Sequence, residues 1–81
     1  MTQVTLYGKP GCHLCEEARS VVEHVRERRP FDLEEVDITR DPSLEAQYRE
    51  RIPVIAIDGQ EALELVIEAS ELERCLATIR S

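Results

Sequence analysis

The cysteines of Cys12-His13-Leu14-Cys15 stand at a junction that limits what this chain can fold into. Before them runs a short apolar segment, Gln3 to Tyr7, with Val4 and Leu6 on one face of a strand. Gly8-Lys9-Pro10-Gly11 cannot continue that strand and reads as a turn. After them, Leu14, Ala18, Val21, Val22 and Val25 recur at steps of three and four, which marks one face of a helix from about His13 to Arg28. Glu16 and Glu17 in its first turn, with Arg26, Arg28 and Arg29 near its last, complement the helix macrodipole, and Pro30 stops it. The chain therefore sets a Cys-x-x-Cys pair where a strand hands over to a helix.

That placement has chemical content. The thiolate, not the thiol, is the nucleophile, and the free backbone N–H groups of a first helical turn stabilise it. Cys12 is expected at the cap position, its sulfur accepting from those amides. Cys15 falls one turn later, within reach of the Cys12 sulfur. In this arrangement Cys12 attacks a substrate disulfide, and Cys15 resolves the mixed disulfide by closing a Cys12–Cys15 bond. His13 adds positive charge beside Cys12 when protonated, whereas Glu16 and Glu17 act in the opposite direction.

The rest of the chain alternates strand and helix signals. Phe31 to Thr39 reads as a second strand whose imperfect alternation, with Leu33 and Val36 on opposite faces, fits cover on both sides. Asp41-Pro42 gives an N-cap followed by proline at the first helical position, and the short helix ends near Arg51 with Leu44 and Tyr48 on its apolar face. Pro53 to Ile57 is a third strand, Asp58-Gly59 a hairpin turn, and Ala62 to Ile67 the returning strand. Ser70-Glu71-Leu72-Glu73 has the form of a capping box with Ser70 at the N-cap, opening a last helix that buries Leu72, Cys75, Leu76 and Ile79. The order β-α-β-α-β-β-α makes this an α/β chain. The first two strands are parallel through a right-handed crossover, and the last two form an antiparallel hairpin. The result is a four-stranded mixed sheet with helices on both faces, in one domain over residues 1–81.

Composition narrows the function classes. A net charge of −7 argues against sequence-independent nucleic-acid binding, which needs a basic face. No apolar stretch approaches the ~20 residues that span a bilayer. Met1 to Tyr7 lacks the features of a secretory leader. A cytoplasmic monomer with no membrane and no nucleic-acid partner is expected. Three cysteines are too few for a secreted disulfide scaffold, and in a reducing compartment a close pair is catalytic or metal-binding rather than structural. A zinc site needs four ligands, and beyond the pair there remain Cys75, His13 and His24, with no second Cys-x-x-Cys. Cys75, on an apolar helical stripe, reads as a small buried hydrophobe, and His24 as a solvated helix residue. No metal ligands are assigned and no bound cofactor is expected.

The run from Val4 to Cys15 resembles the opening strand and active-site loop of glutaredoxins. Glu35-Val36-Asp37-Ile38-Thr39 resembles their second strand, and Arg51-Ile52-Pro53-Val54 the segment carrying their cis-proline. With Asp58-Gly59 and the last helix, the similarity extends over nearly the whole chain and is closest to compact bacterial glutaredoxin-like proteins. It implies a thioredoxin-like (glutaredoxin-like) fold and a thiol–disulfide oxidoreductase that reduces protein or mixed disulfides, whether protein-borne or small. Cys12 would be the nucleophile and Cys15 the resolving thiol. Pro53 would be cis, and the Ile52 backbone would pair with an extended substrate or with glutathione. Lys9 would meet a carboxylate of glutathione, and Ser70 and Glu71 would sit where its γ-glutamyl end meets a helix start. Glutathione is then a candidate co-substrate, and glutathione or a thioredoxin-reductase-like enzyme the reductant.

The sequence also departs from the family pattern. Glu68-Ala69 stands where glutathione-binding members carry Gly-Gly, His13-Leu14 replaces the commoner Pro-Tyr, and Gly11 sits where a bulky side chain is common. These changes weigh against efficient glutathione use. Two other readings stay open on sequence: a thioredoxin-like binding or redox-sensing module with little turnover, and a metal or iron–sulfur site shared between chains.

Overall fold

The computed structural model describes residues 2–80, with side chains described through residue 78. Its elements are β1 (Gln3–Gly8), α1 (His13–Arg28), β2 (Asp32–Asp37), α2 (Pro42–Tyr48), β3 (Val54–Ile57), β4 (Gln60–Glu64) and α3 (Ala69–Arg80), with one 3-10 turn, Ile38–Arg40, after β2. The sheet order is β2-β1-β3-β4. β1 runs parallel to β2 and antiparallel to β3, and β3 pairs antiparallel with β4.

Strand periodicity sorts the core into two layers. Val4 and Leu6 of β1 face the same way as their cross-strand partners Ile57 and Ile55. With Ala18, Val22 and Val25 of α1 and Leu72 and Leu76 of α3, they make the larger apolar cluster. Cys75, expected among the buried residues of the α3 stripe, is only half-buried and packs at the cluster's margin. Ile79, assigned to the same stripe, lies outside the described side chains. The opposite face carries Val54 and Tyr7, covered by Tyr48 and Leu44 of α2 and by Ile38. Asp58-Gly59 forms the predicted hairpin, with φ of 51° and 87°, the doubly left-handed geometry of a tight β-hairpin turn. Asp58 also ties the hairpin to β1, through mutual bonds with Gln3 of 2.8 and 2.9 Å.

Several boundaries differ from expectation, each for a local reason. β2 stops at Asp37 instead of Thr39, because the Asp37 carboxylate accepts from the Thr39 amide at 2.9 Å and hydroxyl at 2.6 Å, and so turns the chain out of the ladder. α2 ends at Tyr48 rather than near Arg51. The Arg51 and Ile52 amides both turn back to the Tyr48 carbonyl, and a residue before proline is steered away from helix. β4 is Gln60–Glu64 rather than Ala62–Ile67, since Leu65 takes φ of 70° and leaves the strand. α3 begins at Ala69, where the Leu72 amide bonds the Glu68 carbonyl at 3.0 Å. Ser70 is thus inside the first turn and not at the N-cap, and the capping box is not the start signal.

On α1 the predicted bounds hold, but Leu14, assigned to its buried face, is 40% exposed, and Cys15 takes the inward position. Among the described residues, no helix is long and apolar enough to cross a membrane.

Candidate active site

Gly11, at φ of 79°, turns the chain out of β1 and delivers Cys12 to the N-cap of α1. A side chain in that left-handed conformation would be strained, so the glycine has a backbone reason. Cys12 holds extended geometry, φ −91° and ψ 113°, and its sulfur accepts the Cys15 amide at 3.2 Å. The Cys12 carbonyl accepts the Glu16 amide at 3.1 Å, so the first helical turn closes directly on the cysteine. The sulfur thus lies at the positive end of the helix dipole with a first-turn amide directed at it.

Cys15 is buried and Cys12 half-buried, and both are free thiols, as is Cys75. Burial foremost, then a hydrogen bond with the Cys12 sulfur, pushes the Cys15 thiol up to about 11, while the Lys9 backbone pulls the other way. The pair is therefore asymmetric: the Cys12 sulfur stands at the helix start and accepts an amide, whereas burial raises the Cys15 thiol.

Sequence reasoning misses the residue that makes room for Cys15. Gly8 reads only as part of the turn, yet a Cβ there would come within 3.0 Å of the Cys15 sulfur. Its backbone serves as the floor on which that sulfur lies, and a glycine one residue past an apolar strand is the only sequence signal of it.

Pro53 follows a cis peptide bond, as the resemblance implied. Ile52 shares an apolar cluster with Cys15, Tyr48 and Val54, and Cys12 packs against it. The Ile52 amide, however, donates to the Tyr48 carbonyl at 3.1 Å. The backbone expected to be open for substrate pairing is thus committed on its N–H side. Beside it, Tyr7 and Tyr48 stack with ring centroids 4.6 Å apart, and the Arg51 guanidinium lies 5.3 Å from the Tyr48 ring centre. Tyr48 donates its hydroxyl to Glu61 at 3.0 Å, and Arg51 pairs with Glu61 and Glu64. Arg51, then Tyr48, holds the Glu61 carboxyl below its usual range. This cluster clamps the turn carrying Ile52 and Pro53 to β4.

The other predicted residues are spread around this centre. Lys9 is exposed and, with Cys15, lines a cleft of ≈ 520 Å³ between α1 and β2. Arg19 and Glu35, an ion pair at 2.9 Å, line it further down. The cleft reaches the flank of Cys15 from the β2 side, whereas Cys12 and Pro53 do not line it. The cysteine pair and the cis-proline thus meet on the other side of Cys15 from this cleft. Ser70 is exposed and Glu71 half-buried in the first turn of α3, also outside the cleft. His13 is turned along the helix to Glu17 at 2.8 Å and is 82% exposed. Among the described residues, no three His, Cys, Asp or Glu side chains are grouped to hold a metal ion.

Comparison with known proteins agrees with this architecture. The Glutaredoxin-like domain (DUF836) matches residues 3–77. An uncharacterised protein of Mycobacterium tuberculosis is 30% identical over 64 residues, which cover 73% of this chain and 66% of the relative, slightly under two thirds of its length. The crystal structure of structural-genomics target XcR50 from X. campestris is 32% identical, covers 93% of this chain and 96% of its own, and superposes with a TM-score of 0.81. A mutant thioredoxin from Halobacterium salinarum, 20% identical, shares the fold alone, with a TM-score of 0.72 over 95% of this chain and 73% of that one. With a match spanning nearly all of its described elements and a four-stranded mixed sheet flanked by helices, this chain belongs to the glutaredoxin-like domain family of the thioredoxin fold.

Proposed function

We propose that this protein is a dithiol–disulfide oxidoreductase in which Cys12 attacks and Cys15 resolves. The observation that carries the reading is the bond from the Cys15 amide to the Cys12 sulfur at the N-cap of α1. It favours thiolate character on the first sulfur and fixes the second one turn away.

In the reaction the Cys12 thiolate attacks one sulfur of the substrate disulfide. The substrate S–S bond breaks, and the other half leaves as a thiolate that takes a proton from solvent. Cys15 then loses its proton and attacks the Cys12 sulfur, expelling the remaining half as a second thiolate. A Cys12–Cys15 bond forms, and two electrons have passed from the dithiol to the substrate. Two glutathione molecules, or a thioredoxin-reductase-like enzyme, restore the thiols by the reverse exchange.

The high proton affinity of Cys15 supports the order of events, since a protonated Cys15 does not compete as the attacking group. Under this proposal Lys9, exposed on the loop before Cys12, meets a carboxylate of a bound thiol peptide. In this reading Ser70 and Glu71 contribute through the start of α3, and Ile52 through its backbone carbonyl, its amide being taken. Compartment, monomeric state and the absence of a bound cofactor belong to the same proposal.

The test is turnover of hydroxyethyl disulfide and of insulin, with glutathione or thioredoxin reductase as the electron source. Reduction that disappears in Cys12→Ser supports the proposal. No turnover of either substrate with either source moves the protein to a binding or sensing role.

A further inference from the structure

Three large apolar side chains stand out from the surface: Leu14 at 40% exposure, Leu65 at 42% and Val66 at 63%. Scattered exposed apolar residues are ordinary, but these are not scattered. Leu14 lies between the two cysteines. The Leu65 amide donates to the Pro53 carbonyl at 2.8 Å, and Pro53 adjoins Ile52, which packs in the cysteine cluster. Val66 comes next. The exposed apolar surface is thus gathered in the two segments that flank the sulfurs, the arrangement expected of an interaction site.

Leu65 adds a second observation. Its φ of 70° is a conformation that a bulky side chain rarely adopts, and such strain clusters where a ligand is held. Glycine would relieve the backbone at that position. The leucine kept there is 42% exposed.

The charge on the same segments has one dominant sign. Residues 61–71 carry Glu61, Glu64, Glu68 and Glu71 and no lysine or arginine. Arg51 answers Glu61 and Glu64. Glu68 is exposed three residues beyond Leu65, and Glu71 follows in the first turn of α3. Across the site, Lys9 is the cation of the loop before Cys12, and His13 is turned to Glu17. The chain as a whole carries −7.

Resting on the dithiol reading above, we infer that the preferred disulfide lies in a polypeptide segment with apolar residues beside its cysteine and lysine or arginine flanking them. The apolar residues lie on Leu14, Leu65 and Val66, and the cations face Glu68 and Glu71. Glutathione, with two carboxylates and one ammonium, carries a net negative charge, the opposed sign.

The test uses the reduced full chain and synthetic peptides with a Leu-Cys-Leu core, flanked on both sides by lysine or by glutamate. The peptide cysteine is held as a mixed disulfide with thionitrobenzoate. Cys12 attacks the peptide sulfur and releases coloured thionitrobenzoate; Cys15 then displaces the peptide as its thiolate, so two electrons leave the protein and no further reductant is needed. Each rate is divided by that of the same peptide with dithiothreitol, a neutral dithiol, which cancels intrinsic reactivity. The lysine peptide should react about tenfold faster, with the gap closing in about 1 M salt, where the screening length is about 3 Å. Glu68→Lys should narrow the gap, and Val66→Ser should shrink the advantage of Leu-Cys-Leu over an Ala-Cys-Ala core; both positions are exposed, so folding is retained. Equal rates for the lysine and glutamate peptides, or a gap indifferent to salt, overturn the inference and leave the dithiol reading in place. If no peptide reacts while dithiothreitol releases the dye normally, both fall.

Discussion

The sulfur of Cys15 rests on Gly8: a Cβ added to Gly8 would stand 3.0 Å from that sulfur and 3.2 Å from the cysteine Cβ. The second cysteine can turn inward at the start of α1 because the end of β1 offers bare backbone there. Gly8→Ala therefore forces Cys15 to shift by a few tenths of an ångström. The lower chain entropy of alanine offsets part of the cost, and a net destabilisation of about 1 kcal/mol is expected, read by denaturant unfolding. Resolution of a mixed disulfide should slow more than its formation, because the displaced sulfur is the one that resolves.

Stability of the reduced protein should fall at alkaline pH. Burial, then the bond with the Cys12 sulfur, raises the Cys15 thiol from 9.0 to about 11. Between those values the folded chain keeps a proton that the unfolded chain has lost, so stability is full below pH 9 and declines as pH rises toward 11. The loss across that window is about 2 kcal/mol. Comparing reduced wild type with Cys15→Ala over the same pH range isolates it, since the variant lacks this component of the slope.

The three cysteines should separate cleanly by substitution. Cys12→Ser abolishes thiol transfer. Cys15→Ser loses dithiol reduction, keeps a monothiol exchange through Cys12, and accumulates a mixed disulfide visible as added mass. Cys75→Ala, at the margin of the larger core, retains turnover; loss of activity in a folded Cys75→Ala protein would assign that thiol a chemical role.

Tyr48 holds the clamp beside the cis-proline. Tyr48→Phe keeps the stack on Tyr7 but removes the hydroxyl donated to Glu61. A loss of about 1 kcal/mol in unfolding free energy is expected. Combined with Glu61→Gln, the two changes should cost less than their sum, because they act on one contact.

The strand–turn–helix frame of the site is legible in the sequence because its signals are local. Gly11 must turn, Cys12 caps, and the α1 stripe repeats down to Arg28. Within that stripe, Leu14 and Cys15 both fit the helical period, and periodicity cannot choose between them; the space above Gly8 does. β4 has one partly buried residue, Leu63, in a pattern otherwise exposed, so no alternation marks its ends. Ser70 carries a sound capping pattern, yet α3 begins two residues earlier than that pattern implies, at Ala69, where the Glu68 carbonyl closes the first turn. The cis bond before Pro53 is visible only through family resemblance, since a proline opening a strand has an ordinary explanation. The committed Ile52 amide and the Tyr48–Arg51–Glu61 cluster depend on how α2 meets β4, a long-range relationship that no local pattern encodes.

The most direct test is a redox titration of the pair against mixtures of reduced and oxidised glutathione, quenched with acid and read by mass and peptide mapping. One two-electron transition is expected, forming a Cys12–Cys15 disulfide and leaving Cys75 a thiol. A pair that stays reduced across every ratio, or a disulfide that recruits Cys75, contradicts the dithiol mechanism.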